Sequence, residues 1–297
     1  MTTSADQHRS APALAAATLG LPGLDLDDLV AALLTSRVEL VELRADSEQP
    51  ISVELTGRQR RRVRQRFDDA GVTVLAIDSY LRIAAVGPDH QLVGDAIRHA
   101  ELASDLGARF VRLFPGGGHR LDGLSGADAS RRLSGGQATA ADQRAVPRLI
   151  SMSAATTGLD MRFALETHDS HPTGKDLARI LDAVAAESPD SRVGAIWDPL
   201  HPWRFCEDPA GTAEMLRPYL TGGSGYIQLK DVGSRTDLTP VLPGSGVVPL
   251  DSVVSAAEAV GYRGPWSLEW EKAWSPRIPE FAEAMAATRR WWKGRNG

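Results

Sequence analysis

The chain has 297 residues, of which 42% are hydrophobic and 24% charged, and its formal net charge is −5 at pH 7. These values match globular averages and argue against wholesale disorder. A mildly acidic chain gives no electrostatic reason to expect nucleic acid as its main partner. Cys206 is the single cysteine, which excludes an internal disulfide and a thiolate metal cluster. No run reaches the roughly 18 apolar residues of a membrane span.

The N-terminal residues are expected to form a disordered tail over 1–10, followed by the first element of the fold. A short apolar run over 13–21 resembles the core of a signal peptide, but Asp6 and the single clear positive charge at Arg9 make a poor n-region. The same run is needed as the first strand. We therefore expect a cytoplasmic protein.

Eight short segments have the character of buried parallel strands, since most are rich in Val, Ile, Leu and Phe and end in polar residues. In chain order they are 13–19, which is the weakest, then 38–44, 72–78, 110–114, 161–166, 192–198, 225–230 and 265–269. Helical patterns lie between them, over 26–34, 57–70, 89–106, from about 138, and over 175–187, 209–220, 250–260 and 281–292. Several of these helices end in Gly just before a strand, as at Gly71, Gly107 and Gly261.

Repeated strand–helix alternation predicts a single-domain (β/α)₈ barrel over 11–297. A doubly wound open sheet is the competing fold, but residues 18–23 do not fit its G-x-G-x-x-G phosphate turn. A Gly-rich insertion at about 116–136 is read either as a mobile lid over the top face or as a disordered segment without a role.

Polar residues occur at the predicted strand ends while the strand bodies stay apolar. They are Glu42, Arg44, Asp78, Arg112, Glu166, His168, Asp198, His201, Gln228, Lys230, Glu269 and Glu271. Active sites of such barrels lie at the C-terminal ends of the strands. Buried charges are costly unless they are paired or bound to metal. The oxygens of Glu166, Asp198, Gln228 and Glu269 would converge on one axis, which predicts a divalent metal site.

Several of these segments carry a family resemblance that spans nearly the whole chain. Residues 41–44 read VELR, 112–117 read RLFPGG, 165–169 read LETHD, 197–203 read WDPLHPW, 226–231 read YIQLKD and 267–270 read SLEW. Together they resemble the sugar phosphate isomerase/epimerase superfamily of xylose-isomerase-like TIM barrels. That superfamily includes ketose 3-epimerases, inosose dehydratase, 3-dehydroshikimate dehydratase and type IV apurinic endonucleases.

The resemblance implies a set of metal ligands. The family's glutamate at strand five matches Glu166, its Asp-x-x-His aspartate matches Asp198, and its glutamate at strand eight matches Glu269. The ligand at strand seven is most often histidine, and here that place is Gln228, which is a departure from the family pattern. An oxygen-only site favours Mg²⁺ or Mn²⁺ over Zn²⁺. Some 3-dehydroshikimate dehydratases of the family carry glutamine here, so the departure adds weight to lyase chemistry.

The resemblance also implies a reaction in which the metal stabilises an enediolate formed from a hydroxy-ketone. Glu166 and Glu269 would be the acid/base pair, with His168 as a further catalytic candidate. Substrate contacts are expected from His201, Lys230, Arg44 and Arg112. For the two arginines the alternative is an ion-pair role at the barrel rim, and for the acids it is a set of structural ion pairs.

We therefore expect a metal-dependent isomerase or epimerase that acts on a small sugar, polyol or hydroxy-ketone. A dehydratase of a cyclic polyol or hydroxy-ketone acid is the alternative, and a non-catalytic sugar-binding barrel stays open because of Gln228. An endonuclease of damaged DNA is disfavoured, because only His168 and His201 lie near strand ends in the ligand region. We expect neither nucleic acid nor membrane as a partner. The family often forms dimers or tetramers, so a homo-oligomer is open.

Overall fold

The computed structural model describes residues 13–47, 49–117 and 139–295. The tail expected over 1–10 lies outside the described residues, as does nearly all of the lid expected at about 116–136.

Eight parallel strands pair in chain order, and β8 closes the barrel by pairing with β1. The predicted (β/α)₈ barrel is confirmed, and the doubly wound sheet is excluded. The strands are β1 Leu14–Ala17, β2 Leu40–Arg44, β3 Thr73–Arg82, β4 Phe110–Phe114, β5 Arg162–Glu166, β6 Val193–Trp197, β7 Tyr226–Leu229 and β8 Trp266–Leu268. Each overlaps a predicted strand.

The helices between the strands agree closely with the predicted ones. They are α1 Leu26–Thr35, α2 Gly57–Asp69, α3 Asp89–Leu106, α4 Ala140–Ala155, α5 Gly174–Glu187, α6 Leu200–Arg204, α7 Pro209–Leu220, α8 Leu250–Ala259 and α9 Phe281–Gly294. Short 3₁₀ turns cover Thr18–Gly20 and Thr221–Gly223. The short helix α6 is not among the predicted elements, because five residues are too few to carry a helical hydrophobic period.

Local capping explains several helix ends. The Thr56 and Thr139 side chains each accept a hydrogen bond from the backbone of the third helical residue in a capping box. Gly107 ends α3 with a left-handed φ of 72°, a conformation that glycine adopts without steric cost. The predicted ends of α2 and α3 agree with the structure to within a residue, and the glycine that follows each helix is the signal for its C-terminal end.

The apolar core lies in two places. The larger cluster packs the helices against the outer faces of the strands. The smaller cluster fills the barrel interior with Ala15, Leu75, Ala76, Phe110, Ala164, Ile196 and Tyr226. Side chains alternate between these two faces along each strand, so the inward positions further along the strands are free to be polar. Among the described helices, none is long and apolar enough to span a bilayer.

Candidate metal centre

Three buried acids converge where β5, β6 and β8 end. Carboxylate oxygens of Glu166, Asp198 and Glu269 all lie within 4.8 Å of one another, and each residue is at most 4% exposed. Like charges at this distance repel strongly in a water-poor interior. The cluster therefore needs cations, protons or both to be stable.

Local hydrogen bonds fix the position of Asp198 beside Glu166. The Thr167 hydroxyl accepts from the Asp198 N–H and donates to its carbonyl, both at 3.0 Å. Asp198 Oδ1 accepts from the Leu200 N–H at 2.9 Å and so holds the first turn of α6. That turn carries His201, whose Nε2 lies 3.4 Å from Asp198 Oδ2. The Asp-x-x-His spacing thus places a carboxylate and an imidazole on the same side of the site.

Two buried cations meet the acids. Arg112 Nη1 lies 3.3 Å from Glu269 Oε1, and its Nε lies 3.6 Å from Glu166 Oε2 and 3.8 Å from Asp78 Oδ1. The Arg112 guanidinium is only 3% exposed and packs over the Phe114 ring at 4.5 Å. This geometry favours the ion-pair alternative for Arg112 over direct substrate contact.

Lys230 is the second cation. Its Nζ donates to Glu269 Oε2 and to Glu271 Oε1, both at 2.6 Å, and lies 3.7 Å from Asp198 Oδ2. These carboxylates raise the pKa of Lys230 well above its usual value against the opposing effect of burial. Lys230 is therefore charged and neutralises part of the acid cluster.

The three acids titrate differently. Burial raises the pKa of Glu166 well above its usual value, with Arg112 opposing it, and burial raises the pKa of Asp198 to about 6. Glu269 is equally buried, but Lys230 and Arg112 bring its pKa below the usual value. The pKa values of Glu166 and Glu269 are thus displaced in opposite directions, which is a common feature of acid/base pairs.

Several buried oxygens around the cluster have no hydrogen-bond partner among the described residues. They are both oxygens of Glu166, Oδ2 of Asp198 and Oε1 of Gln228. Buried polar atoms are nearly always satisfied, so acceptors of this kind are suited to an ordered water molecule or a bound cation. Carboxylate and amide oxygens suit a hard divalent cation, so the donor set fits the metal that the sequence predicts.

Gln228 and Glu42 form a polar layer inside the barrel. Gln228 Nε2 donates to Glu42 Oε2 at 3.3 Å, and the Tyr226 hydroxyl donates to the same oxygen at 2.5 Å. Burial, and next the charge of Asp78, raise the pKa of Glu42 well above its usual value. Glu42, Tyr226 and Gln228 are fully buried. Glu42 and Asp78 are among the polar residues at the predicted strand ends, but the sequence indicates no role for either.

Two histidines and an aromatic ring lie beside the acids. The rings of His168 and His201 are 4.5 Å apart between centroids, and His168 also packs on Phe114 at 4.4 Å. Nitrogen atoms of both histidines lie within 4.8 Å of a Glu166 oxygen and of each other. Burial lowers the pKa of His201 well below its usual value, so its imidazole is neutral. His201 offers a neutral donor or acceptor to a ligand.

Arg44 lies in an aromatic clamp at the rim. Its Nε donates to the Tyr80 hydroxyl at 2.6 Å, and its guanidinium lies 4.9 Å from the Trp274 ring centroid. Nη2 lies 3.2 Å from Asp46 Oδ2. Trp274 is 57% exposed, whereas Trp270 is buried in the core. Of these two tryptophans, only Trp274 is at the surface.

The structure therefore brings together three of the predicted metal ligands, both histidines, Lys230 and Arg112, and leaves Arg44 at the rim. The fourth, Gln228, lies inside the barrel on β7, where it contacts Glu42. The sequence analysis missed Tyr226 and Thr167. Both lie within the quoted motifs but have no charge that marks them, and each acts through a contact with a residue that is distant along the chain.

A family sequence model described as a xylose isomerase-like TIM barrel matches residues 31–293. This chain belongs to that family. The resemblance noted from the strand-end motifs is confirmed. Comparison with curated protein sequences finds no match.

Solved structures of the same fold cover almost all of the chain at low sequence identity. The probable 3-DHS dehydratase AsbF of Bacillus anthracis, involved in petrobactin synthesis, is 18% identical, with a TM-score of 0.67 over 93% of this chain and 98% of its own. A D-tagatose 3-epimerase-like protein is 15% identical, with a TM-score of 0.69 over 95% and 97%. IolI, solved with a bound zinc atom, is 16% identical, with a TM-score of 0.66 over 93% and 95%. The family's structures thus include an epimerase-like protein, a probable dehydratase and a zinc-bound protein.

Proposed function

We propose that this chain is a divalent-metal-dependent isomerase or epimerase of a small hydroxy-ketone sugar. The observation that carries the proposal is the buried cluster of Glu166, Asp198 and Glu269, in which both oxygens of Glu166 and Oδ2 of Asp198 accept no hydrogen bond from the described residues. Gln228 would add an amide oxygen as the fourth ligand. Since all four donors are oxygens, Mn²⁺ or Mg²⁺ is the proposed ion. When bound, the ion would supply Lewis-acid stabilisation of negative charge on the substrate oxygens.

The proton transfers are assigned to Glu269 and Glu166. Their strands, β8 and β5, lie three strands apart around the barrel, so the two carboxyls face the axis from different sides. Lys230 and Arg112 keep Glu269 ionised, which suits it to take the proton from the carbon next to the ketone. Glu166 has a raised pKa and can return a proton to the resulting enediolate. Return to the opposite face of the same carbon gives an epimer, and return to the neighbouring carbon gives an isomer.

The remaining polar groups would bind and orient the substrate. His201 is neutral and lies beside Asp198, so it can hydrogen-bond a substrate hydroxyl. His168 is held between Phe114 and His201 and can contact the same ligand or assist proton transfer. Lys230 fixes the Glu269 carboxylate that it contacts.

A dehydratase is the second candidate, and one observation favours it. Gln228 occupies a position where the family most often has histidine, and its amide oxygen has no hydrogen-bond partner. AsbF, described as a probable 3-DHS dehydratase, has the same fold. Loss of a β-hydroxyl after the first proton transfer would give dehydration in place of epimerisation.

The test is incubation of the Mn²⁺-loaded protein in D₂O with a panel of ketoses, inososes and dehydroshikimate, followed by mass spectrometry. The proposal predicts a product of the same composition that carries solvent deuterium. In an epimer the deuterium is at the carbon that loses its proton, and in an isomer it is at the neighbouring carbon. A product lighter by one water would support the dehydratase instead. No turnover of any substrate, with Mn²⁺ shown to be bound, would favour a sugar-binding barrel without catalysis.

A further inference from the structure

We propose that Glu42 is a positioning residue that turns the Gln228 amide so that its oxygen, and not its NH₂ group, faces the metal site. This inference rests on the proposed metal-dependent function, because it concerns how one ligand of the ion is presented. The contact between the two side chains links β2 with β7 across the barrel interior.

The Gln228 amide has two possible orientations. A glutamine side chain has an oxygen that accepts and a nitrogen that donates, and a 180° turn about its last bond exchanges them. Only the oxygen can bind a cation. In the structure Nε2 donates to Glu42 Oε2, while Oε1 has no hydrogen-bond partner among the described residues. Glu42 therefore selects between the two orientations by accepting from the nitrogen.

The acceptor oxygen of Glu42 is itself held in place. Glu42 Oε2 is also held by the Tyr226 hydroxyl at 2.5 Å, and Tyr226 and Gln228 both point into the barrel as residues i and i+2 of β7. All three side chains are fully buried, so bulk water does not compete for these bonds. A histidine at this position would present a ring nitrogen to the ion. A glutamine needs a fixed acceptor behind it to be an equivalent ligand.

The orientation of the amide has a consequence for the ion. Partners behind a metal ligand that fix its orientation are worth about 10–100-fold in metal affinity when they are removed. Without Glu42, the Gln228 NH₂ group would be free to point at the cation and repel it. Loss of Glu42 should therefore weaken Mn²⁺ binding by that factor, although Glu42 itself is not a ligand.

The test is a double-mutant cycle read by calorimetric titration of Mn²⁺ into metal-free protein. Glu42→Met and Gln228→Leu are each expected to raise Kd by about 10–100-fold. In the Gln228→Leu background, Glu42→Met should add less than about threefold, because the residue on which it acts is gone. Glu42→Gln retains an acceptor oxygen and should stay within about threefold of the wild type. Tyr226→Phe removes the bond that holds Glu42 Oε2 but leaves the acceptor in place, so it should weaken Mn²⁺ binding less than Glu42→Met does.

Each outcome decides the matter. Equal Mn²⁺ affinity in Glu42→Met and the wild type would overturn the inference, and so would full additivity in the double variant, which indicates a purely structural role. If Glu42→Met does not fold, Glu42→Asp keeps the carboxyl group but withdraws the acceptor by one methylene, and the same loss of affinity is expected. Failure of the wild type to bind Mn²⁺ would instead remove the proposed metal centre itself, and is visible before any variant is made.

Discussion

Lys230→Met removes a buried cation that contacts two acids of the proposed metal centre and the adjacent Glu271. Lys230 Nζ lies 2.6 Å from both Glu269 and Glu271 and 3.7 Å from Asp198, and the residue is 4% exposed. Loss of one partner of a buried ion pair costs about 3–5 kcal/mol. The unfolding entropy of 297 residues is about 0.6 kcal/mol/K, from about 2.1 cal/mol/K per residue. The melting temperature in EDTA should therefore fall by about 5–8 °C.

Mn²⁺ should restore part of this loss. An ion at 100 times its Kd stabilises the native state by about 2.7 kcal/mol, or about 4 °C here. The shift should be larger in Lys230→Met than in the wild type, because the lysine no longer competes with the ion for Asp198 and Glu269. Lys272→Met is the matched control, since Lys272 bonds Ile278 and Glu280 outside the site. Differential scanning calorimetry measures both the melting temperature in EDTA and its rise when Mn²⁺ is added. A Lys230→Met protein that melts like the wild type in EDTA, or gains no extra stability from Mn²⁺, would refute the reasoning.

Three further predictions concern residues around the centre. The Asp142 carboxylate is hydrogen-bonded to His171 at 2.7 Å and to Arg179 at 2.6 Å. Burial opposes ionisation, but these partners lower the pKa of Asp142. Asp142→Asn should therefore lower the free energy of unfolding at pH 7 by about 2–3 kcal/mol. A carboxyl whose pKa is lowered in the folded state stabilises the fold at pH values above its unfolded pKa. In chemical denaturation, the difference in free energy of unfolding between the wild type and Asp142→Asn should therefore narrow as pH falls below about 4. A difference that widens would contradict this. Arg44→Met should raise KM about tenfold, with kcat within about threefold, for a substrate that carries a carboxylate, such as dehydroshikimate. An unchanged KM in steady-state kinetics would remove Arg44 from substrate binding. Thr167→Val should destabilise the fold by about 1–3 kcal/mol and weaken Mn²⁺ binding, since both bonds to the Asp198 backbone are lost; unchanged Mn²⁺ affinity would show that the backbone holds Asp198 without them.

The barrel, and with it the strand ends that carry the proposed metal ligands, was predictable because it depends on local signals. Strands that are buried on both faces have near-continuous apolar runs, and the polar residue that ends each run marks the top of the barrel. Glu166, Asp198 and Glu269 each follow such a run, so the fold alone brings them together once the barrel closes.

The contacts that surround those residues were not predictable from local signals. Glu42 contacts Gln228 across 186 residues of sequence, and whether it pairs, binds metal or fixes an amide depends on barrel register. The sequence alone allowed Arg112 either to bind a substrate or to form ion pairs with the acids, and its distances to Glu166 and Glu269 favour the ion pairs. Helix α6 escaped prediction because its first turn is held by the Asp198 side chain and not by a periodic pattern.

The central claim is that one divalent cation binds at Glu166, Asp198, Gln228 and Glu269. An anomalous difference map from a crystal soaked in MnCl₂ tests it most directly, because it locates the ion as well as detecting it. The account predicts a single strong peak among the oxygens of these four residues, lost in Asp198→Asn and retained in the surface control Asp182→Asn. A crystal without a peak at this position, or with the ion held by His168 and His201 away from Asp198 and Glu269, would contradict it.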